Sequence, residues 1–172
     1  MSMIFLQTGK VPRAKINFDG ALTRDLRFNL WHHQWPMRTN QKMRGYLSHL
    51  QTHQSALSPE LSSVLVSGLV QEKGCVVLAE ARASAVAWDA SQDATGYECF
   101  INHIHVKSLV EALEFARRLK SALAEYSTDA FVVIVSFDGR EATVRFHKHR
   151  LGQAWLNDNL EGYVEEGIAV LD

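Results

Sequence analysis

Between residues 97 and 150 the sequence sets a strand-like run, a capped amphipathic helix and a two-strand hairpin in immediate succession, and few folds accommodate that order. The helix is the surest part. Ser108-Leu109-Val110-Glu111 has the pattern of a capping box, in which a serine hydroxyl and a glutamate carboxylate satisfy backbone N–H groups that a helix start leaves orphaned. Leu109, Leu113, Ala116, Leu119, Leu123 and Tyr126 then recur at helical spacing as one apolar stripe. Arg117, Arg118 and Lys120 lie toward the C-terminal half, where positive charge complements the helix dipole.

Residues 130–137 are apolar on both faces apart from Ser136, as an interior strand would be. Asp138-Gly139 predicts a two-residue hairpin turn, because both residue types tolerate positive φ. Residues 140–149 alternate, with Ala142, Val144 and Phe146 on one face and Glu141, Thr143, Arg145, His147 and His149 on the other. Residues 97–106 read as a strand with Phe100, Ile104 and Val106 on one face. A right-handed crossover through the helix makes 97–106 parallel to 130–137, and the hairpin strand antiparallel to both. The fold class expected is therefore α+β: a mixed, mainly antiparallel sheet built on the core 97–150, with helices packed on one face.

The flanks are read around that core. Weak strands are expected at 3–6, 14–18 and 26–31, followed by the tryptophan-bearing segment from Trp31 to Trp35, which Pro36 biases away from helix. Asn40 can cap a helix with Met43, Leu47, Leu50, Gln54 and Leu57 along one side. Ser58-Pro59-Glu60 starts a second helix through Leu61, Val64, Leu65 and Leu69, with Lys73-Gly74 at its end. Val76, Val77 and Leu78 favour a strand, extended toward Trp88 and followed by a turn at 91–96. The tail carries Trp155, Leu156, Leu160, Tyr163 and Val164 among acids, and a last strand is expected at 168–171. Neither repeats nor low-complexity linkers divide the chain, so one domain is expected, with residues 1–74, 75–150 and 151–172 as its N-terminal, core and acidic C-terminal parts.

Hydrophobic residues at 47% and charged residues at 22% are globular proportions. No apolar run approaches the ~20 residues of a membrane helix, and the start lacks a signal peptide's pattern, so a cytoplasmic protein without membrane association is expected. Cys75 and Cys99 lack CxxC spacing and read as buried thiols. Charge is polarised along the chain: residues 1–55 hold eight Lys/Arg against two Asp/Glu, and no basic residue follows Arg150. Attraction between the two ends within one fold is the favoured explanation.

All eight histidines fall in close pairs: His32/His33, His49/His53, His103/His105 and His147/His149. At i,i+2 on a strand or i,i+4 on a helix, such pairs present two imidazoles on one side, the geometry of a metal chelate or an acid–base couple. Strand direction separates the two strand pairs. His103 and His105 fall near the hairpin's turn, while His147 lies eight residues past Gly139, ~25 Å away at ~3.3 Å per residue. Nor do the pairs match the two-histidine phosphoesterases, whose motif carries a hydroxyl where this chain has His105 and His149. Phosphate-binding glycine loops, HExxH and GxSxG are absent, and neither a cofactor nor a metal is expected.

Two functions follow. The favoured one is a non-enzymatic protein-binding role of the kind played by small bacterial accessory and immunity proteins. Trp155, Asp158, Glu161, Tyr163, Glu165 and Glu166 would engage a basic partner, aromatic anchors meeting acids. The alternative is a histidine-dependent phosphoester hydrolase or nuclease, with His147 and His149 as acid and base and Arg145 stabilising charge. Nucleic-acid binding by Trp31 and Trp35 among Arg24, Arg27, Arg38, Lys42 and Arg44 is the less favoured partnership, set against a solvated helix face over core tryptophans.

Overall fold

A computed structural model describes residues 36–50, 56–84 and 93–172. The expected strands at 3–6, 14–18 and 26–31, the indole pair Trp31/Trp35, His32/His33, His53 and the stretch 85–92 lie outside the described residues. The described strands form a five-stranded sheet in the order β1 (Met37–Thr39), β7 (Gly167–Leu171), β5 (Phe131–Phe137), β6 (Ala142–Lys148), β4 (Ile104–Val106), and a separate two-stranded hairpin of β2 (Leu69–Glu72) and β3 (Cys75–Leu78). The α+β class and the mainly antiparallel sheet hold.

The centre of the sheet is the predicted hairpin. β5 (Phe131–Phe137) and β6 (Ala142–Lys148) pair in register from Phe131↔Lys148 to Phe137↔Ala142. Their connection is a four-residue loop, not the two-residue turn expected. Gly139 alone takes positive φ there, and the Asp138 carboxylate accepts the N–H groups of Arg140 and Glu141. Those bonds hold the Asp138 carboxyl below its ordinary range. β4 (Ile104–Val106) pairs antiparallel with β6 on its other side, so β4 and β5 run parallel with β6 between them, the relative direction expected for the strands flanking the helix. β7 (Gly167–Leu171), the expected last strand, is buried along its length between β5 and the short edge strand β1 (Met37–Thr39).

One face of the sheet packs on helices. α4 (Leu109–Tyr126) buries Leu109, Leu113, Phe115, Ala116, Leu119 and Leu123 against Phe131, Val133, Val135, Val144 and Phe146. α1 (Gln41–Ser48) and α2 (Pro59–Ser67) add Met43, Leu61 and Leu65 to the same core. α1 sits close over β7: a Cβ on Gly167 would lie 2.9 Å from a Tyr46 ring carbon and 3.1 Å from the Met43 Cα, so only glycine fits. Half of the capping box forms at α4. Ser108 Oγ accepts from the Glu111 N–H, while the Glu111 carboxylate reaches the Ser58 N–H and so ties the start of α2 to α4. Arg117 and Arg118 both close on the Glu114 carboxylate instead of lying at the last carbonyls of the helix.

Three further sequence expectations are corrected. α2 stops at Gly68 (φ 78), and Lys73-Gly74 is the tight turn, both residues at positive φ, between β2 (Leu69–Glu72) and β3 (Cys75–Leu78). The strand from Cys75 ends after four residues, and a 3₁₀ turn follows at Ala81–Ser84. Residues 97–101 are helix, not strand: α3 (Ala94–Ile101) is capped by Asp93, takes in Gly96, and leaves β4 only three residues. Thr95, Glu98, Cys99 and Asn102 are the buried positions, a helical i, i+3, i+4, i+7 pattern hidden because three of its members are polar.

Those polar residues join the two sheets. Fully buried Glu98 accepts from the Val76 N–H (2.8 Å) in β3 and the Lys148 N–H (2.8 Å) in β6. One turn on, Asn102 accepts from the Leu78 N–H and donates to the carbonyls of Val76 and Phe146. Two side chains at i,i+4 thus occupy the place of a missing strand between β3 and β6, and Arg150 neutralises the carboxylate at 2.6 and 2.9 Å. That hydrogen-bonded pairing with Glu98 raises the already high pKa of Arg150.

Candidate functional site

The second face of the sheet carries Val132, Ile134 and Ser136 of β5, Arg145 of β6, and Ile168 and Val170 of β7. The tail folds back over part of it. Leu156, Leu160 and Tyr163 pack on Ile134, Ile168 and Val170 as a second, smaller core. A 3₁₀ turn at Leu160–Gly162, capped by Asn159, shapes the tail there, and the Tyr163 hydroxyl accepts from the Asn157 N–H. Beside this packed patch an open cleft of about 370 Å³ remains between sheet and tail. Its floor is Ile134, Ser136 and Ile168, its far side Trp155 and Leu156, and its near wall residues 162–166. Arg145 enters it with its guanidinium carbon 5.9 Å from the Trp155 ring centre, a cation–π distance.

The near wall is fixed from behind by the start of α1. Asn40 is buried and uses its whole side chain. Its oxygen accepts from the N–H groups of Met43 and Ile168, capping the helix and holding β7, and its amide donates to the carbonyls of Tyr163 and Glu166. Lys42 Nζ donates to the two carbonyls between, Val164 and Glu165. Four consecutive wall carbonyls therefore face α1.

The predicted partner-binding residues divide. Trp155, Tyr163, Glu165 and Glu166 line the cleft; Asp158 and Glu161 do not. Glu161 is engaged with α1, accepting the Gln41 N–H and the Arg44 guanidinium (2.8 Å each), and the Gln41 bond leads the causes that hold its pKa low. Arg38 pairs in the same way with Asp172 at 2.7 Å. Arg38 and Arg44 thus meet acids of the tail within the fold, and the described candidates for nucleic-acid contact, Arg38, Lys42 and Arg44, all engage the tail or the backbone. Trp155 (42% exposed) and Val164 (70% exposed) leave apolar surface open beside the cleft.

The hydrolase trio is not brought together on this cleft. Arg145 lines it, whereas His147 and His149 do not. His147 is 4% exposed, its Nδ1 donates to the Lys148 carbonyl, and burial lowers its pKa. The strand pairs also remain apart. His105 lies opposite Thr143, so His147 is four residues farther along β6, ~13 Å at strand rise, rather than the ~25 Å counted from the turn. Cys75 and Cys99 are buried free thiols, and burial pushes Cys99 up to about 12. Ser136 also lines the cleft, and its one signal in the sequence is a lone hydroxyl in an otherwise apolar strand.

Among the described residues no helix is long and apolar enough to cross a membrane. The family model described as "Uncharacterized protein PM0498 family" matches residues 38–172. No curated protein and no solved structure matches the chain.

Proposed function

Since the chain belongs to that uncharacterized family, whose match spans every residue lining the cleft, we propose a function from the cleft's own chemistry: non-enzymatic binding of another protein. The occupant is a segment presenting an aliphatic or aromatic side chain flanked by lysine or arginine. The observation that carries this reading is the convergence of Trp155, an apolar floor of Ile134 and Ile168, and the acidic wall residues Glu165 and Glu166 around one open volume. An aromatic anchor in a partly desolvated pocket supplies affinity, and rim carboxylates select charge and speed encounter. Arg145, stacked beside Trp155, stiffens the aromatic side of the pocket. The basic partner favoured by the carboxylates fits an accessory, immunity-like role in a bacterial cytoplasm, an assignment that rests on composition and charge.

A peptide-display selection on the full chain tests the reading. Enriched peptides are expected to pair an apolar residue with Lys or Arg. Trp155→Ala is expected to weaken them ~30-fold, equivalent to the ~2 kcal/mol of an interface hot spot. Glu165→Lys with Glu166→Lys should reverse the charge preference. Peptides that bind both variants as tightly as the wild type, or no enrichment at all, would overturn it.

A further inference from the structure

Away from the cleft, where α3 hands over to β4, two imidazoles stand together on the surface. α3 ends at Ile101, and Asn102 is locked into the buried bridge between β3 and β6, so the chain leaves a fixed point just before His103. His105 follows in β4, whose pairing with β6 sets it opposite Thr143. The two rings have centroids 5.2 Å apart and planes inclined by 81°.

Each ring has one nitrogen committed to an acceptor. His103 Nδ1 donates to the Phe100 carbonyl at 2.8 Å, and His105 Nδ1 donates to the Glu141 carboxylate at 3.2 Å. A carbonyl or carboxylate oxygen can only accept, so the proton of each neutral ring sits on Nδ1 and the Nε2 lone pair is left available. Backbone carbonyl and carboxylate are also the two partners that orient metal-ligating histidines and raise their basicity. The spacing agrees. Two imidazole nitrogens ~2.1 Å from one tetrahedral ion place their ring centres ~5 Å apart.

We propose that His103 and His105 bind one divalent transition-metal ion through their two Nε2 atoms. Zn²⁺, Ni²⁺ and Cu²⁺ are the fitting class, because imidazole suits them and does not suit the oxygen-seeking Mg²⁺ or Ca²⁺. Glu141 acts as a positioning residue through His105. Among the described residues no group of three or more His, Cys, Asp or Glu side chains could hold an ion, so the remaining positions fall to water or to a donor from an incoming molecule. The site is thus coordinatively open, and it is separate from the cleft proposed for protein binding.

Other histidine pairs in this chain compete for any added metal, so the test must report by residue. Calorimetric titration of the full chain with ZnCl₂ in a non-coordinating buffer is expected to show saturable binding. His103→Ala and His105→Ala should each weaken it at least tenfold, and His149→Ala should leave it unchanged. Glu141→Ala is expected to weaken binding about tenfold, and Glu141→Gln, which retains an acceptor oxygen, less. Substoichiometric Cu²⁺ should broaden the NMR signals of the His103 and His105 rings first, and MgCl₂ should do nothing. None of the four positions is buried, and circular dichroism of each variant serves as the check that it folds. Zn²⁺ affinity unchanged in the His103→Ala/His105→Ala double variant, or Cu²⁺ broadening that begins at other histidines, overturns the proposal.

Discussion

Removing the Glu98 carboxylate tests the claim that side chains stand in for a strand. In Glu98→Ala the N–H groups of Val76 and Lys148 lose their acceptor, and an orphaned buried donor costs about 1–3 kcal/mol. Arg150, whose side chain is 17% exposed, loses its counter-charge. Relief from burying a carboxylate offsets part of this, leaving the ~3–5 kcal/mol typical of breaking a buried pair from one side. That is a large share of the ~5–15 kcal/mol that holds a domain together. With a urea dependence of about 2 kcal/mol per molar, the unfolding midpoint falls by ~1.5–2.5 M. Circular dichroism reads the midpoint, and hydrogen exchange locates the damage: the Val76 amide should lose protection well before those of Val133 and Val135 in β5. Arg150→Met should be similarly harmful alone, and Glu98→Ala should add much less on that background, because the two groups share one interaction. A loss under 1 kcal/mol, or protection lost evenly across both sheets, would refute the bridging role.

Two further perturbations probe the support of the near wall and a buried ring of β6 outside the cleft. Asn40→Asp keeps the oxygen that caps α1 but removes the two donors to Tyr163 and Glu166 and sets a negative charge against their carbonyls; it should destabilise by ~2–4 kcal/mol in urea melts, and an effect no larger than a lost cap, ~1 kcal/mol, would mean that the tail is held elsewhere. His147 binds its proton less readily folded than unfolded because burial lowers its pKa, so its share of stability is complete above the unfolded value of ~6.5 and declines as pH falls through that value toward the folded one. His147→Gln should therefore flatten the stability–pH curve below pH ~6.5 relative to wild type, and an unchanged slope would contradict the placement of this ring.

What the sequence discloses here depends on whether burial is apolar. α4 and β6 bury hydrocarbon in regular periods and β5 is an apolar run, so their existence and relative direction follow from residues 109–148 with small errors at the ends, whereas β7, buried at every position, is legible as a strand but not in its direction. α3 and its C-cap bury Thr95, Glu98 and Asn102, and polar residues in a short stretch look like a solvent face; residues 97–106 then read as an alternating strand. β2 reads as part of the preceding helix because Leu69 continues its stripe, although Gly68 supplies the break. The site divides for a related reason. Trp155, Tyr163, Glu165 and Glu166 are neighbours in sequence and were found together, whereas Arg145 and Ser136 reach the cleft only through the pairing of β5 with β6. Asp158 and Glu161 share the acidic composition of the tail, but composition does not tell that Arg44 already claims one of them.

The orientation of the cleft's near wall decides how an occupant can be recognised. Carbonyls 163 to 166 are all turned toward Asn40 and Lys42, so that wall cannot accept a guest's backbone N–H groups in a ladder, and recognition by adding a strand is closed off there. What the wall presents instead is side chains, on a backbone already held in place before anything arrives. Little conformational freedom remains to be lost at that surface on association. Discrimination at the near wall therefore falls on the guest's residue types and their order, and a scrambled peptide of the same composition should be refused.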